Sequence, residues 1–238
     1  MPERKVAVVL GVGPGLGAAV ARRFARGGYA LGLMARGTET LAATEAEIER
    51  AGGTAISVAV DATDATSVSA GFERVREQLG APEVLVYNAA GFQMGGILDL
   101  TPAMFEDSWR LNCMGAFLAA QIVVPPMRKK AKGTILFTGA TASLRGSARF
   151  SAFAVGKFGL RALAQSIARE LGPEGIHVAH VVIDGQINTP RFRASAPTRP
   201  VETALSPDAI AETYWQLHAQ DRTAWTFELD LRPAFESF

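Results

Sequence analysis

The stretch Val6–Gly17 (VAVVLGVGPGLG) decides the fold of this 238-residue chain. Five consecutive apolar residues, Val6–Leu10, predict a strand that is buried on both faces, and a helical pattern, Leu16–Arg26, begins within the glycine-rich turn. Glycines at such a junction permit a tight turn and let backbone N–H groups approach a pyrophosphate, while the helix N-terminus adds partial positive charge. Strand, turn and helix in this order predict a dinucleotide-binding site; a plain strand–helix connection is the simpler alternative.

The rest of the chain repeats the alternation of short apolar runs with amphipathic stretches, which predicts βαβ units around a parallel sheet. We therefore expect an α/β fold with a doubly wound Rossmann-type sheet, as one domain over residues 1–238. Further strands are predicted at Tyr29–Met34, Ala55–Ala59, Val84–Tyr87, Thr134–Thr138, His177–Ile183 and Thr226–Leu231. Further helices are predicted at Glu39–Ala51, Ser67–Leu79, from Pro102 to near Pro125 and Pro126, and at Phe150–Leu171. The proline-rich stretch Arg191–Pro207 is expected to be an irregular, mobile loop on the substrate side.

The amino-acid composition argues against several classes of protein, including nucleic-acid-binding, disulfide-rich and membrane-spanning ones. A net charge of +1 gives no electrostatic footprint for nucleic acid or for a membrane surface. The single cysteine, Cys113, rules out an internal disulfide framework and fits a reducing compartment. There is no uninterrupted run of 18 apolar residues and no pattern of a cleaved leader, so we expect a cytoplasmic protein without a membrane segment. We assign no metal ligands.

Several motifs after the first turn occur in the order found in one enzyme family. The spacing Gly11-x3-Gly15-x-Gly17 resembles the cofactor turn of short-chain dehydrogenases/reductases. Asp61, the segments 87–91 (YNAAG), 111–115 (LNCMG) and 185–189 (GQINT), and Lys157 resemble later motifs of that family, over about residues 5–190. The resemblance implies a seven-stranded sheet with ligands bound at the carboxyl ends of its strands.

The resemblance also implies which residues hold the cofactor. Asp61 would contact adenine, Lys157 the nicotinamide ribose, and the segment after the sixth strand the nicotinamide amide and phosphates. Arg36 stands after the second strand, where an acidic residue would bind the ribose hydroxyls of NAD; a guanidinium suits a 2′-phosphate instead, so we expect NADP(H) to be preferred over NAD(H). The implied cofactor-binding set is Gly11, Gly15, Leu16, Gly17, Arg36, Asp61, Ala62, Asn88, Ala89, Lys157, Ile187 and Thr189.

The family's catalytic pattern fails in this sequence. Phe153 occupies the position of the catalytic tyrosine four residues before Lys157, and phenylalanine has no ionisable proton to serve as an acid. Ala140, thirteen residues before Phe153, occupies the position of the serine that orients the substrate. Of the four implied catalytic positions, only Asn112 and Lys157 keep the family's residue type. Asn112 either relays a proton through water or only bonds backbone carbonyls at a helix bend.

Other polar residues have structural interpretations that compete with catalytic ones. Asp184 is interpreted mainly as a turn residue that bonds its own backbone, with a displaced acid near the nicotinamide as the alternative. His177, His180 and Cys113 are interpreted as packing residues, and Tyr87 as packing near the cofactor. The hydroxyls that could replace the missing acid are those of Thr141, Ser143, Ser151 and Tyr87.

Two function classes remain open from the sequence. One is an NADP(H)-dependent oxidoreductase that acts on a small carbonyl, alcohol or activated alkene, with very slow turnover of simple ketones and secondary alcohols. The other is a cofactor-binding protein with little turnover, such as a sensor or an inactive subunit. Gln93, Met94, the segment Ser143–Phe150 and the Arg191–Pro207 loop would line the substrate site, and their arginines (Arg145, Arg149, Arg191 and Arg193) either bind an anion or are solvated. The family resemblance and the apolar run Met114–Val124 predict a homodimer or homotetramer.

Overall fold

The computed structural model describes residues 4–235 and is built on a seven-stranded parallel sheet. Its strands are β1 (Val6–Leu10), β2 (Ala30–Ala35), β3 (Ala55–Ala59), β4 (Val84–Tyr87), β5 (Gly133–Thr138), β6 (Ile176–Ile183) and β7 (Glu228–Leu231). They lie in the order β3-β2-β1-β4-β5-β6-β7, with Val8 of β1 paired to Gly32 of β2 and to Leu85 of β4. The predicted doubly wound parallel sheet is confirmed.

Helices cover both faces of the sheet. They are α1 (Leu16–Arg26), α2 (Thr38–Arg50), α3 (Ala65–Gln78), α4 (Pro102–Trp109), α5 (Gly115–Lys130), α6 (Ser151–Leu171), α7 (Pro190–Ser195) and α8 (Pro207–His218). Apolar side chains of α1, α2 and α8, such as Phe24, Leu41 and Tyr214, pack on one face. Those of α3, α5 and α6, such as Phe72, Val123 and Leu160, pack on the other. No helix within residues 4–235 is long and apolar enough to cross a membrane.

The strand order places the ligand cleft. Successive strands run outward from β1 in one direction to β3, and then from β4 in the other direction to β7. In an open parallel sheet, a crevice forms beyond the carboxyl ends of the strands where the order reverses, here between β1 and β4. The residues that follow β1, β2, β4, β5 and β6 therefore meet at one edge of the sheet.

Two sequence predictions about helices are wrong. Helix α5 does not stop at Pro125 and Pro126 but continues to Lys130, where Ala131 adopts a left-handed conformation (φ 47°). Two prolines near the end of a helix leave only two carbonyls, those of Gln121 and Ile122, without their intrahelical donor, and Gln121 is exposed to water. The supposed irregular loop Arg191–Pro207 begins inside α7, contains a 3₁₀ turn at Val201–Thr203 and ends where α8 begins.

Candidate active site

The glycine-rich turn between β1 and α1 is closed by backbone packing that only glycine permits. Gly11 has a φ of 107°, and a Cβ atom on it would lie 2.2 Å from the amide nitrogen of Ala89. A Cβ on Gly17 would lie 2.3 Å from the carbonyl oxygen of Gly11. The Asn88 side chain donates to the same Gly11 oxygen at 2.8 Å, which fixes the end of β4 against the turn.

An open cleft of about 320 Å³ lies beside this turn, at the carboxyl ends of β1, β2 and β4. A Cβ added to Gly13, which lines the cleft, would meet no atom within 4 Å, so this part of the turn faces open space. The cleft is lined by residues 10–13 and 35–37, Val60, Ala62, residues 88–90 and Leu111. The open space therefore adjoins the turn that leads into the N-terminus of α1.

Arg36 and Asp61 are the charged groups at the β2–β3 side of this cleft. Arg36 is exposed and belongs to the cleft lining. The Asp61 carboxylate accepts hydrogen bonds from the Thr63 amide at 2.9 Å and from the Thr63 hydroxyl at 2.8 Å. These bonds, with a smaller contribution from the charge of Arg36, hold the pKa of the Asp61 carboxyl below its usual value. Asp61 is therefore ionised near neutral pH.

The far side of the turn contacts the segment that follows β6. A Cβ on Gly15 would lie 2.5 Å from a methyl carbon of Thr189, so Thr189 rests directly on the turn. The Thr189 hydroxyl accepts from the Phe192 amide at 3.2 Å and caps α7. Ile187 pairs with Leu205 in an isolated parallel bridge. Leu16, the first residue of α1, is buried beneath the turn.

Lys157 is a buried ammonium group at the carboxyl end of β5. Its residue is 2% exposed, and Nζ donates to the carbonyl oxygen of Thr138 at 2.9 Å. Burial lowers the pKa of this lysine from 10.5 to about 8. Nζ also lies 5.8 Å from the ring centroid of Phe153, one turn earlier on α6. Lys157 is thus held by β5 and by its own helix rather than by solvent.

Aromatic rings form the mouth of this region. The Phe92 ring lies 5.3 Å from that of Phe153 and 5.4 Å from that of Phe150, centroid to centroid, and Phe92 is 65% exposed. The backbone of Arg149, which has a left-handed φ of 67°, accepts a hydrogen bond from Gly95 at 2.8 Å. The loop after β4 and the start of α6 are therefore held together over the Lys157 region.

Comparison with known proteins agrees with this arrangement. The model of the short chain dehydrogenase family matches residues 5–200. This chain belongs to that family. It is 33% identical over 193 residues to a short-chain dehydrogenase/reductase of Armillaria gallica, which is 80% of this chain and 74% of that protein.

Solved structures of the family superpose over nearly the whole chain. A short-chain dehydrogenase from Rhodopseudomonas palustris is 38% identical with a TM-score of 0.85, covering 98% of this chain and 100% of that one. A metagenomic short-chain oxidoreductase, solved in complex with NADP, is 30% identical with a TM-score of 0.84, covering 98% of each chain. The oxidoreductase family predicted from the motifs is confirmed.

Asn112 lies in a π-helical turn, Arg110–Met114, between α4 and α5. Its Nδ2 donates to the carbonyl oxygens of Gly91 and Ser108, each at 2.9 Å. This is the backbone bonding at a helix bend that the sequence allowed. Its buried Oδ1 has no hydrogen-bond partner among residues 4–235, so the acceptor that a relay water would use is still open. The backbone bonding is therefore observed, and the water relay stays a prediction.

The main interpretation of Asp184 is wrong. Its carboxylate does not bond its own backbone but accepts from the Thr141 hydroxyl at 2.5 Å and faces Arg232 at 3.2 Å and Arg145 at 3.9 Å. The cause is the tertiary arrangement, because β5 and β6 are neighbours and the residues after each strand meet. Arg232, which follows β7, was not predicted at the site, and no local sequence signal indicates it.

Two of the four candidate hydroxyls are enclosed. Ser143 is fully buried and accepts from the Ala140 amide at 3.1 Å. Tyr87 donates to the Leu111 carbonyl at 2.6 Å, and burial raises the pKa of its phenol. Thr141 and Ser151 are only half-buried. Of the candidates, these two retain access to solvent.

Both histidines that were predicted to be packing residues contact neighbouring side chains. His180 is buried on β6 and its Nδ1 lies 2.9 Å from a Glu228 carboxylate oxygen, while the His177 ring stacks on Trp225 at 4.8 Å. Burial lowers the pKa of both histidines and raises that of the half-buried Cys113. The pKa shifts leave both imidazoles neutral at pH 7.

Three of the four arginines in the predicted substrate segments, Arg145, Arg149 and Arg193, have partners within the protein. Arg145 faces Asp184, Arg149 lies 3.7 Å from Asp99, and Arg193 bonds the side chain of Asn188 and the Arg199 carbonyl. Gln93 is half-buried and Met94 is 52% exposed beside Phe92. These contacts favour solvated or internally paired arginines over an anion site.

Proposed function

We propose that this protein is an oxidoreductase that binds NADP(H) and transfers a hydride to or from a small carbonyl, alcohol or activated-alkene compound. The observation that carries the proposal is the glycine turn at the strand-order reversal, which borders a cleft lined in part by Arg36. Asp61 follows β3, and Lys157 is anchored at the carboxyl end of β5. Membership of the short chain dehydrogenase family and the NADP complex of a relative support the same assignment.

The residues present fit a nicotinamide dinucleotide. The backbone amides of the turn, at the N-terminus of α1, would hold the pyrophosphate, with Gly11, Gly15, Leu16 and Gly17 shaping the approach. The cleft between residues 35–37 and Ala62, Asn88 and Ala89 suits the adenosine portion, with Asp61 next to Ala62 in the chain. Lys157, Ile187 and Thr189 would hold the nicotinamide end. When bound, the nicotinamide supplies or accepts the hydride; the chain must move the accompanying proton.

The preference for NADP(H) rests on Arg36. The side chain is exposed at the cleft rim after β2, where it can donate charge-assisted hydrogen bonds to a 2′-phosphate. Such a bond to a charged group contributes about 1.5–3 kcal/mol, or roughly a tenfold to hundredfold preference in affinity. The carboxylate of Asp61 lies close enough for Arg36 to affect its pKa, which limits the preference to the lower part of that range.

The proton step is the atypical part of the proposal. With Phe153 and Ala140 at the positions of the family's tyrosine and serine, no phenol or serine hydroxyl serves the substrate oxygen there. Losing a general acid costs about 10²–10⁴-fold in rate, so simple ketones should be reduced slowly. The aromatic surface of Phe92, Phe150 and Phe153 favours substrates with an apolar or aromatic part next to the reacting carbon.

The test measures binding and turnover separately. By calorimetry, the dissociation constant for NADPH should be at least about tenfold lower than that for NADH. The Arg36→Asp variant should show no such difference. A panel of aldehydes, ketones, secondary alcohols and enones should then be followed by nicotinamide absorbance. Turnover of at least one compound supports the oxidoreductase, whereas tight NADPH binding without turnover of any compound would favour the cofactor-binding protein without catalysis.

A further inference from the structure

A carboxylate–hydroxyl pair at the carboxyl ends of β5 and β6 is not used by the family pattern. Asp184 follows β6 and its side chain is 3% exposed. Thr141 is half-buried and directly follows Ala140, the position at which the family's substrate-orienting serine would stand. Their oxygens are 2.5 Å apart, across 43 residues of sequence. The pair therefore lies at the ligand-binding edge of the sheet, beside the strand end where Lys157 is anchored.

Two arginines lie beside the Asp184 carboxyl group. Arg232 contacts one carboxylate oxygen at 3.2 Å, and Arg145 lies 3.9 Å from the other, which also accepts from Thr141. Arg232 additionally pairs with Asp230, so the arrangement is a network that ties the end of β7 to the end of β6. Burying a carboxylate is unfavourable unless it is paired and hydrogen-bonded, and these partners meet that requirement.

The direction of the hydrogen bond between Thr141 and Asp184 determines which oxygen can accept a proton from a substrate. A threonine hydroxyl has one proton, and here that proton is donated to Asp184. The lone pairs of Thr141 Oγ1 are then available to accept a proton from a substrate hydroxyl on its solvent-accessible side. Phenylalanine at position 153 offers no competing group, and Ser143 and Tyr87 are enclosed in the interior. Ser151 is half-buried, but no carboxylate within residues 4–235 accepts a hydrogen bond from it.

We propose that Thr141 and Asp184 carry the proton that the missing tyrosine would carry. This inference rests on the oxidoreductase function proposed above. In alcohol oxidation, the substrate O–H proton passes to Thr141 Oγ1 as the Thr141 proton passes to Asp184, a C=O bond forms, and the C–H electron pair leaves as hydride to the oxidised nicotinamide. Carbonyl reduction is the same set of transfers in reverse. Thr141 is the catalytic residue, and Asp184 acts through it.

The experiment compares four variants with the unmodified protein on the same alcohol and ketone panel. Thr141→Val removes the hydroxyl at nearly constant side-chain volume, whereas Thr141→Ser keeps the hydroxyl and removes only the methyl group. Asp184→Asn replaces the proton-accepting carboxylate with an amide of the same shape. The matched control is Thr223→Val, because the Thr223 hydroxyl donates to Asp221 at 2.6 Å in an exposed turn far along the chain. Thermal unfolding and NADP⁺ affinity by calorimetry accompany every assay.

Thr141→Val and Asp184→Asn should lower kcat about 100-fold or more, with KM and NADP⁺ affinity within about threefold, because only the proton step is removed. Thr141→Ser should recover to within about tenfold of the unmodified protein, and Thr223→Val should match it. D₂O should slow turnover of the unmodified protein and of Thr141→Ser.

Unchanged kcat in Thr141→Val overturns the proposal while the oxidoreductase function stands. If the unmodified protein binds NADP⁺ but converts nothing, both proposals fail together. If Asp184→Asn unfolds, the decision rests on the Thr141 pair of variants.

Discussion

Replacing Lys157 with methionine should abolish a rise in stability between about pH 8 and pH 10. Burial lowers the pKa of this lysine from 10.5 in a solvated chain to about 8 in the folded protein. Above pH 10.5 the amine is neutral in both states. As the pH falls from 10.5 to about 8, the unfolded chain takes up a proton that the folded protein does not, so the free energy of unfolding decreases. Below pH 8 both states are protonated and the full penalty remains.

The size of the effect follows from the two pKa values. At about 1.4 kcal/mol per pH unit, the difference between 10.5 and about 8 corresponds to roughly 3 kcal/mol, most of which falls between pH 8 and pH 10. The lysine is 2% exposed, so solvent screening reduces this little. Burial also raises the pKa values of Tyr29 and Tyr87, but their contributions are common to both proteins and cancel in the difference.

Urea unfolding at about pH 7.5, 8.5 and 10 measures the effect, with the exposed Lys129→Met on α5 as the matched control. The unfolding free energy of the unmodified protein, minus that of Lys157→Met, should increase by about 2–3 kcal/mol across this range. The same difference taken with Lys129→Met should stay nearly constant. Parallel pH curves for the unmodified protein and Lys157→Met would show that the buried amine is not the titrating group and refute the reasoning.

Three further predictions follow from the same geometry. Gly11→Ala should destabilise the fold by about 2–5 kcal/mol and abolish NADPH binding, because a methyl group there combines a positive φ with a backbone clash. Gly13→Ala places a methyl group where no atom lies within 4 Å, so its melting temperature in a thermal scan should be within a few degrees of that of the unmodified protein. Phe153→Tyr together with Ala140→Ser should raise ketone reduction about 10²-fold or more in a steady-state assay, and an unchanged rate would mean that the phenol does not reach the substrate oxygen. Light scattering at micromolar concentration should give the mass of a dimer or tetramer. Phe158→Asp, on the exposed apolar surface of α6, should lower the measured mass. A monomer mass for the unmodified protein would reject the assembly.

The sheet was predictable because its signals are local. Five apolar residues before Gly11 and the repeated strand–helix alternation sufficed for the parallel topology, and predicted strand ends differ from the observed ones by at most two residues. Helix α8 was also predictable, since Ser206 caps it and Pro207 occupies its first turn, a pattern typical of helix starts. Pro207 was instead grouped with Pro197 and Pro200 in an irregular stretch, although it is the first residue of the helix. Thr189 and Pro190 start α7 in the same way.

The site was only partly predictable because its decisive contacts are long-range. The glycine positions and Lys157 follow from spacing along the chain. The Thr141–Asp184 bond does not, since it depends on the packing of β5 beside β6, and Arg232 comes from a third strand. A sequence-local interpretation of an aspartate after a strand favours an Asx turn, which explains why the structural partner was missed.

The energetics of the site bear on the choice between the two function classes. A chain that needed only a stable fold would gain by placing an apolar residue at position 157, because the buried lysine costs roughly 3 kcal/mol near neutral pH. Asp184 is likewise buried and contacts Arg232, and buried ion pairs contribute little net stability. Both lie at the carboxyl edge of the sheet, one at the end of β5 and the other at the end of β6. Cofactor binding alone would account for Lys157, but neither it nor the network that ties β7 to β6 requires the Asp184 carboxylate to accept from a solvent-accessible hydroxyl. That second feature favours turnover over a silent cofactor-binding role.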